Sequence, residues 1–136
     1  MTTPRISSYY VHWLYDYVRE RGIQPELALG PLRGRHEQPF YAMAEWAQQL
    51  ERVAHLLGDP DLGLNFGRTF TPQRFGVLGY LFHHCDDLGQ VYARMTQYQR
   101  LLLHLRNSRM QRLGDLYALV WHLEVVRPSW HEEMFT

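Results

Sequence analysis

The sequence predicts an α+β fold in which N-terminal helices pack on a small C-terminal antiparallel β-sheet, truncated at its C-terminus. Apolar residues recur at three- and four-residue steps in several stretches between Tyr9 and Leu102, and this spacing changes to alternation after Gly114. A length of 136 residues suits one domain, 1–136. With 46% apolar against 21% charged residues, the chain has enough apolar side chains for one buried core.

The first helix is predicted to begin after Ser7 or Ser8, which are suitable N-cap residues, and to end at Gly22. Its apolar face is largely aromatic and is formed by Tyr10, Trp13, Leu14, Tyr17 and Val18. We interpret this face as part of the core. A surface for a partner or ligand is the alternative.

A short helix is expected at Pro25, followed by the loop "PLRGRHEQP", which lacks an apolar period. The next helix has the clearest pattern, with apolar residues on one side over four turns before Gly58 ends it. Asp59 is then a candidate cap and Pro60 a candidate first residue of another short helix.

Residues 75–82 are predicted to be helical although they contain Gly76 and Gly79. Each glycine costs a helix about 1 kcal/mol relative to alanine, so a compensating benefit is expected. Close packing against a neighbouring element, or room for a ligand, would provide it.

Asp87 and Gln90 have the spacing of a capping box, which predicts a helix from Leu88 with an apolar stripe. The tripeptide "HHC" of residues 83–85 directly precedes this cap. Adjacent side chains in a turn seldom converge on one metal ion, and no second Cys or His pair follows at a metal-binding spacing. We therefore interpret "HHC" as a polar helix end and predict no metal site.

Gly114-Asp115 is a glycine-first pair suited to a tight hairpin turn. The alternating residues 116–126 after it predict a half-buried strand, whose partner runs through Met110 and Leu113. Residues 103–106 are a candidate for another strand.

Charge and composition exclude several classes of function. Fourteen Lys and Arg balance fourteen Asp and Glu, so no basic field favours direct DNA binding. The single cysteine forms no intrachain disulfide, and no signal peptide or membrane span is recognisable, from which we expect a cytoplasmic protein. No nucleophile motif or well-spaced carboxylate pair is present, and an enzyme is not predicted.

The C-terminal stretch "PSWHEEMFT" places Ser129 and Glu132 at capping-box spacing, which predicts a helix from Trp130. The sequence reaches only Thr136, too short a run for a persistent helix. We therefore expect the chain to be a fragment of a longer protein.

Four segments together resemble a known family: "GDPDLGLNFG", "FGVLGY", "DLGQVYARMTQYQRLL" and the strand pair that turns at "GD". Over residues 9–128 the chain is similar to the N-terminal regulatory, arabinose-binding-like domain of AraC/XylS-type bacterial transcription regulators. The resemblance implies a domain that senses a small-molecule effector, mediates homodimer formation, or does both. It also implies that DNA is bound only by a C-terminal helix-turn-helix domain, which is missing from this sequence.

No cofactor and no membrane partner are expected. The alternative function is a haem or gas sensor, in which a histidine would supply one axial imidazole. An enzyme is the third possibility and would require a cleft with titratable groups of strongly shifted pKa.

An effector pocket is predicted between the glycine-bearing helix and the sheet. Two glycines would leave space, and aromatic side chains with polar tips would form the walls, as is usual in small-molecule sites. The predicted effector-binding residues are Phe75, Gly76, Gly79, Tyr80, His83, Tyr98 and Trp121.

Overall fold

The computed structural model describes residues 4–102 and 108–121, where it contains six α-helices and two two-stranded antiparallel sheets. The helices are α1 (Ser8–Glu20), α2 (Pro25–Leu29), α3 (Met43–Leu57), α4 (Leu62–Gly67), α5 (Val77–His83) and α6 (Leu88–Tyr98). The strands are β1 (Arg5–Ser7), β2 (Phe40–Ala42), β3 (Ser108–Leu113) and β4 (Leu116–Trp121). The predicted α+β class, with a C-terminal antiparallel sheet, is confirmed.

The sheet of β1 and β2 was not predicted from the sequence. Ile6 pairs with Tyr41, and the amide of Ser8 donates to the carbonyl of Pro39 at 2.8 Å. Each strand has only three residues, too few for a visible alternation, and the partners lie far apart in the chain. This sheet holds the loop after α2 against the start of α1.

Helix α1 begins as predicted, since the Ser7 side chain accepts a hydrogen bond from the amide of Tyr9 at 3.2 Å. Eight of its thirteen residues are buried. The aromatic face packs in the core, where the Trp13 ring stacks on Phe66 with centroids 3.9 Å apart. The interpretation of this face as core is confirmed.

Helix α3 supplies the second large part of the core, with Trp46, Leu50 and Val53 fully buried. It ends as predicted at Gly58, whose φ of 59° lies in the left-handed region. Helix α4, in contrast, begins two residues later than predicted. The Asp59 carboxylate accepts from the amide of Asp61 at 2.9 Å, so it stabilises the turn before the helix and does not cap the helix itself.

The predicted helix over residues 75–82 is interrupted. A 3₁₀ turn covers Pro72–Phe75, and α5 begins only at Val77. Gly76 separates them with φ 58° and ψ −127°, a conformation outside the helical region that other residues rarely adopt. The continuous helix was therefore a wrong prediction, because the apolar spacing on both sides concealed a chain reversal at Gly76.

Helix α6 begins at the predicted cap, where the Asp87 carboxylate accepts from the amide of Gln90 at 2.8 Å. Gln90 reaches back to the amide of Asp86 rather than to that of Asp87. A 3₁₀ turn over Gln99–Leu101 follows. The buried Leu102 then accepts from the amide of Ser7 at 2.7 Å, which ties this part of the chain to β1.

The C-terminal hairpin turns at Gly114, whose φ is 62°, as predicted from the Gly-Asp pair. Leu113 pairs with Leu116, and Met110 with Leu119. Ala118 and Val120 are half-buried, whereas Tyr117 and Leu119 are exposed. The predicted strand over 103–106, the continuation of β4 beyond Trp121 and the helix expected from Trp130 lie outside the described residues.

Within 4–102 and 108–121, no helix combines the length and the apolar character that crossing a bilayer requires.

Candidate functional site

Phe75 is the predicted site residue that lies deepest in the molecule. Its side chain is 2% exposed, and its ring contacts Tyr10 with centroids 5.0 Å apart. Phe70 packs against it at 5.4 Å, and Trp13 meets it edge-on at 6.3 Å. Phe75 therefore belongs to the aromatic core, where it connects the 3₁₀ turn to α1.

The two glycines do not leave the open space that the sequence predicted beside them. A Cβ atom added to Gly76 would lie 3.1 Å from the hydroxyl oxygen of Tyr9, and one added to Gly79 would overlap the carbonyl group of Pro72. Gly79 thus allows α5 to pack directly on the backbone of the preceding 3₁₀ turn. Of the two benefits considered for these glycines, the structure shows close packing at Gly79.

Tyr80 and His83 lie on the outer side of α5. Tyr80 is 65% exposed, and its ring contacts that of His84 with centroids 4.2 Å apart. His83 Nε2 is 3.2 Å from the side-chain nitrogen of Gln73. The contact between His83 and Gln73 links the end of α5 to the turn before it, whereas the contact between Tyr80 and His84 lies along α5 and its C-cap.

The "HHC" tripeptide lies at the C-terminal end of α5, in the position predicted for it. His84 Nδ1 lies 2.9 Å from the carbonyl oxygen of Tyr80, and the thiol of Cys85 donates to the carbonyl of Leu81 at 3.4 Å. Both side chains therefore interact with carbonyl groups at the end of their own helix. Within residues 4–102 and 108–121, no three His, Cys, Asp or Glu side chains are grouped as a metal site requires.

Tyr98 is half-buried at the end of α6 and packs against the core. Trp121 ends β4, where its backbone pairs with Ser108, and its side chain lies outside the described part of the chain. Phe75, Gly76 and Gly79 therefore share one corner of the molecule, with Tyr80 and His83 on its outer surface. Binding of an effector by all seven residues stays a prediction.

The histidines needed by the haem-sensor alternative are mostly at the surface. His36, His55, His83 and His84 are exposed. His12 is half-buried, and its Nε2 lies 3.0 Å from the carbonyl oxygen of Arg33. Among the described residues, no histidine is thus placed in an apolar cavity as an axial ligand would be.

A cleft at the junction of α1 and α2 was not predicted. It is lined by Arg19, Gly22, Ile23, Gln24, Pro25 and Glu26. The Arg19 guanidinium donates to Glu26 at 3.1 Å and to Asp16 at 2.9 Å. Because these charged groups already pair with one another at the surface, the cleft offers little to a ligand.

A buried polar pair on α3 was also missed. Trp46 is fully buried and Gln49 is 8% exposed, yet neither the indole Nε1 of Trp46 nor the Oε1 of Gln49 has a hydrogen-bond partner. Buried polar groups of native proteins are nearly always paired. Sequence periodicity placed Trp46 in the apolar stripe of its helix but could not show which polar atoms the fold would leave unsatisfied.

Two tyrosines of α1, Tyr10 and Tyr15, are strongly desolvated. Burial raises the pKa of Tyr10, whose ring meets Trp46 edge-on with centroids 6.2 Å apart. Burial, followed by the nearby Tyr41 and two glutamates, raises the pKa of Tyr15 to about 12. The interior between α1 and α3 is therefore an environment that disfavours charge.

The chain matches the model of a known protein family. The family model of the N-terminal arabinose-binding domain of AraC transcription regulators covers residues 29–134. A search among curated proteins finds no match. The matched span runs from the end of α2 through the last described strand, and so includes most of the core and all the predicted site residues.

Proposed function

Because this chain belongs to the family of N-terminal arabinose-binding domains of AraC transcription regulators, we propose that it senses a small-molecule effector. The family is regulatory and not enzymatic. In this proposal the single domain 1–136 changes its stability or association when the effector binds, and DNA is bound by a separate helix-turn-helix domain in the bacterial cytoplasm. The family match over residues 29–134 is the observation that carries the proposal.

The effector contacts are proposed at the corner where the 3₁₀ turn Pro72–Phe75, α5 and the C-terminal hairpin are expected to meet. The half-buried Tyr98 supplies apolar surface there, and Tyr80 and His83 supply polar groups. The buried Phe75 anchors the 3₁₀ turn in the core. Gly79 leaves no open space for an effector, because the Pro72 carbonyl occupies the position that a Cβ atom would take. Its part in the site is to hold α5 in place.

Homodimer formation is the second part of the proposal. The aromatic face of α1, which first suggested a partner surface, is buried within the chain. A dimer would therefore use other surfaces, and family membership is the remaining support. Light scattering of residues 1–136 tests it: a mass of twice 16.2 kDa is expected, and a monomer at all concentrations would remove this part of the proposal.

The division between effector sensing and DNA binding is tested by mobility shift. We expect residues 1–136 not to shift promoter DNA, because their formal net charge of zero gives no electrostatic attraction to phosphates. A regulator that carries this domain together with a helix-turn-helix domain should shift it. Sequence-selective binding by residues 1–136 alone would contradict the proposal.

A further inference from the structure

Trp46 and Gln49 lie three residues apart on α3 and so share one face of the helix. This face is turned into the core, where Trp46 is 0% and Gln49 8% exposed. Three polar residues are buried in the described chain, the other two being Ser7 and Ser8. Ser7 is explained by its role as N-cap of α1. Gln49 has no comparable structural role.

The two unsatisfied atoms are complementary in type. The Trp46 indole N–H can only donate a hydrogen bond, and the Gln49 carbonyl oxygen can only accept one. Leaving such atoms unpaired in the interior costs free energy that a bound molecule would recover. A molecule that satisfies both must therefore offer an acceptor to Trp46 and a donor to Gln49.

The surroundings restrict the charge of such a molecule. Trp46 is flanked by the rings of Tyr10 and Phe66, with centroids 6.2 and 6.1 Å away. Among the described residues, no Asp, Glu, Lys or Arg is buried. Glu45 and Arg52, charged residues of α3 on either side of this pair in sequence, are exposed, and transferring an unpaired charge to this apolar region is unfavourable. The aromatic faces suit apolar C–H groups instead.

Gln49 is the more solvent-accessible member of the unsatisfied pair. Gln49 and Tyr10 keep 8% and 7% of their surface exposed, while Trp46 has none. The unsatisfied pair therefore lies just beneath the surface, and Gln49 is the first of the two that an entering molecule meets. On the other side, Tyr10 contacts Phe75 with ring centroids 5.0 Å apart, so this region adjoins the predicted effector-binding residues.

We propose that Trp46 and Gln49 bind a small uncharged molecule through paired donor and acceptor groups, such as a hydroxyl or carboxamide compound. This rests on the proposed effector-sensing function and specifies the chemical class that the site accepts. Trp46 gives its indole proton to an oxygen of the ligand, and Gln49 accepts a proton from the ligand. Tyr10 and Phe66 provide the apolar walls.

The test uses acetamide and acetate as probes, because they are nearly isosteric and differ in charge. The indole N–H signal of Trp46 is followed by NMR and assigned by its loss in Trp46→Phe. Acetamide is expected to shift this signal saturably, and acetate at equal ionic strength is not. No saturable shift with acetamide, or an equal response to acetate, overturns the proposal.

A matched pair of variants tests the role of Gln49. Gln49→Met keeps the length of the side chain but removes its acceptor, and should weaken acetamide binding by about 3- to 10-fold, the value of one hydrogen bond. Gln48→Met alters the exposed neighbour and should leave binding unchanged. Equal affinities of Gln49→Met and wild type overturn the proposal, and the wild-type probes decide it if Gln49→Met does not fold.

A metabolite screen separates effector binding at Trp46 and Gln49 from effector binding elsewhere in the domain. A metabolite found by thermal-shift screening should stabilise wild type and Gln48→Met, but stabilise Gln49→Met less. If a metabolite stabilises all three equally, the effector binds elsewhere and only this inference fails. If no metabolite stabilises the wild type, the sensing function itself is contradicted.

Discussion

Helices α1 and α6 have the same kind of sequence but different environments. Each carries one apolar face at helical spacing, and each begins with a side-chain cap, Ser7 in α1 and Asp87 in α6. Eight residues of α1 are buried, whereas none of α6 is. Periodicity thus identifies the apolar face of a helix, but the elements that cover this face are determined by the tertiary fold.

The residues up to Leu78 and those after it differ in burial in the same way. Up to Leu78 the described residues form a continuous core of aromatic and aliphatic side chains. After Leu78, only Gly79 and Leu102 are buried among the described residues. The unsatisfied polar pair of α3 lies in the first region, as does Phe75. We therefore expect the stability of the domain to depend mainly on the residues up to Leu78.

The largest effect on stability is expected when a leucine of α1 is replaced by alanine, and the same replacement in α6 is the comparison. Leu14→Ala in α1 removes a fully buried side chain and should lower the free energy of unfolding by about 2–5 kcal/mol. Leu88→Ala in α6 truncates a side chain that is 84% exposed. This substitution should change the free energy of unfolding by less than about 0.5 kcal/mol. Urea denaturation measures both. Similar losses would show that α6 is covered in solution and would remove the contrast.

A second pair tests the packing of α5. Gly79→Ala forces a methyl group against the Pro72 carbonyl and should destabilise by about 3 kcal/mol, the upper end of the usual overpacking cost. Val77→Ala, on the same helix but 77% exposed, is the control and should have little effect. If Gly79→Ala proves neutral in thermal denaturation, α5 does not pack on the 3₁₀ turn as described.

The buried side of α1 should also make the protein sensitive to alkali. The Tyr15 hydroxyl donates to the carbonyls of Leu29 and Gly30 at 3.2 and 2.8 Å. Its folded-state pKa of about 12 is above the ordinary value of 10.0, so its contribution is full below pH 10 and is lost as the pH rises towards 12.

The variant Tyr15→Phe isolates this contribution. It should cost about 1–3 kcal/mol at neutral pH, because two carbonyl groups lose a donor. Above pH 10 its stability should fall less steeply than that of the wild type. Urea midpoints measured from pH 8 to pH 11 give both slopes, and parallel curves would argue against a buried neutral phenol at this position.

A smaller effect is expected at the cap of α6. Asp87→Ala removes the acceptor for the amide of Gln90 and should destabilise by about 1 kcal/mol. Asp87→Asn keeps an acceptor and should restore most of the loss. An unchanged denaturation midpoint in Asp87→Ala would mean that the exposed helix is already frayed at this end.

The elements that the sequence predicted correctly are those with local signals. Ser7, Gly58, Asp87 and Gly114 end or begin elements through their own backbone and side-chain chemistry, which neighbouring residues reveal. In contrast, β1 and β2 are three residues each and pair across more than thirty residues of chain. Such pairing depends on packing and leaves little trace in a single sequence.

The contacts of the predicted effector site also depend on tertiary packing and could not be predicted from the sequence. Phe75 and the two glycines were recognised as unusual, but their spacing could not show that Gly79 meets Pro72 or that Gly76 reverses the chain. Trp46 was visible as an apolar residue of α3. Only the folded arrangement shows that its indole nitrogen, together with Gln49, lacks a partner.

Effector binding by this domain is tested most directly by effector-linked stability. A metabolite that alters DNA binding by a regulator carrying this domain is added to residues 1–136 at one hundred times its dissociation constant. We predict a gain of about 2.7 kcal/mol in the free energy of unfolding of this domain. An effector that acts on such a regulator but leaves the stability of residues 1–136 unchanged would contradict effector binding by this domain.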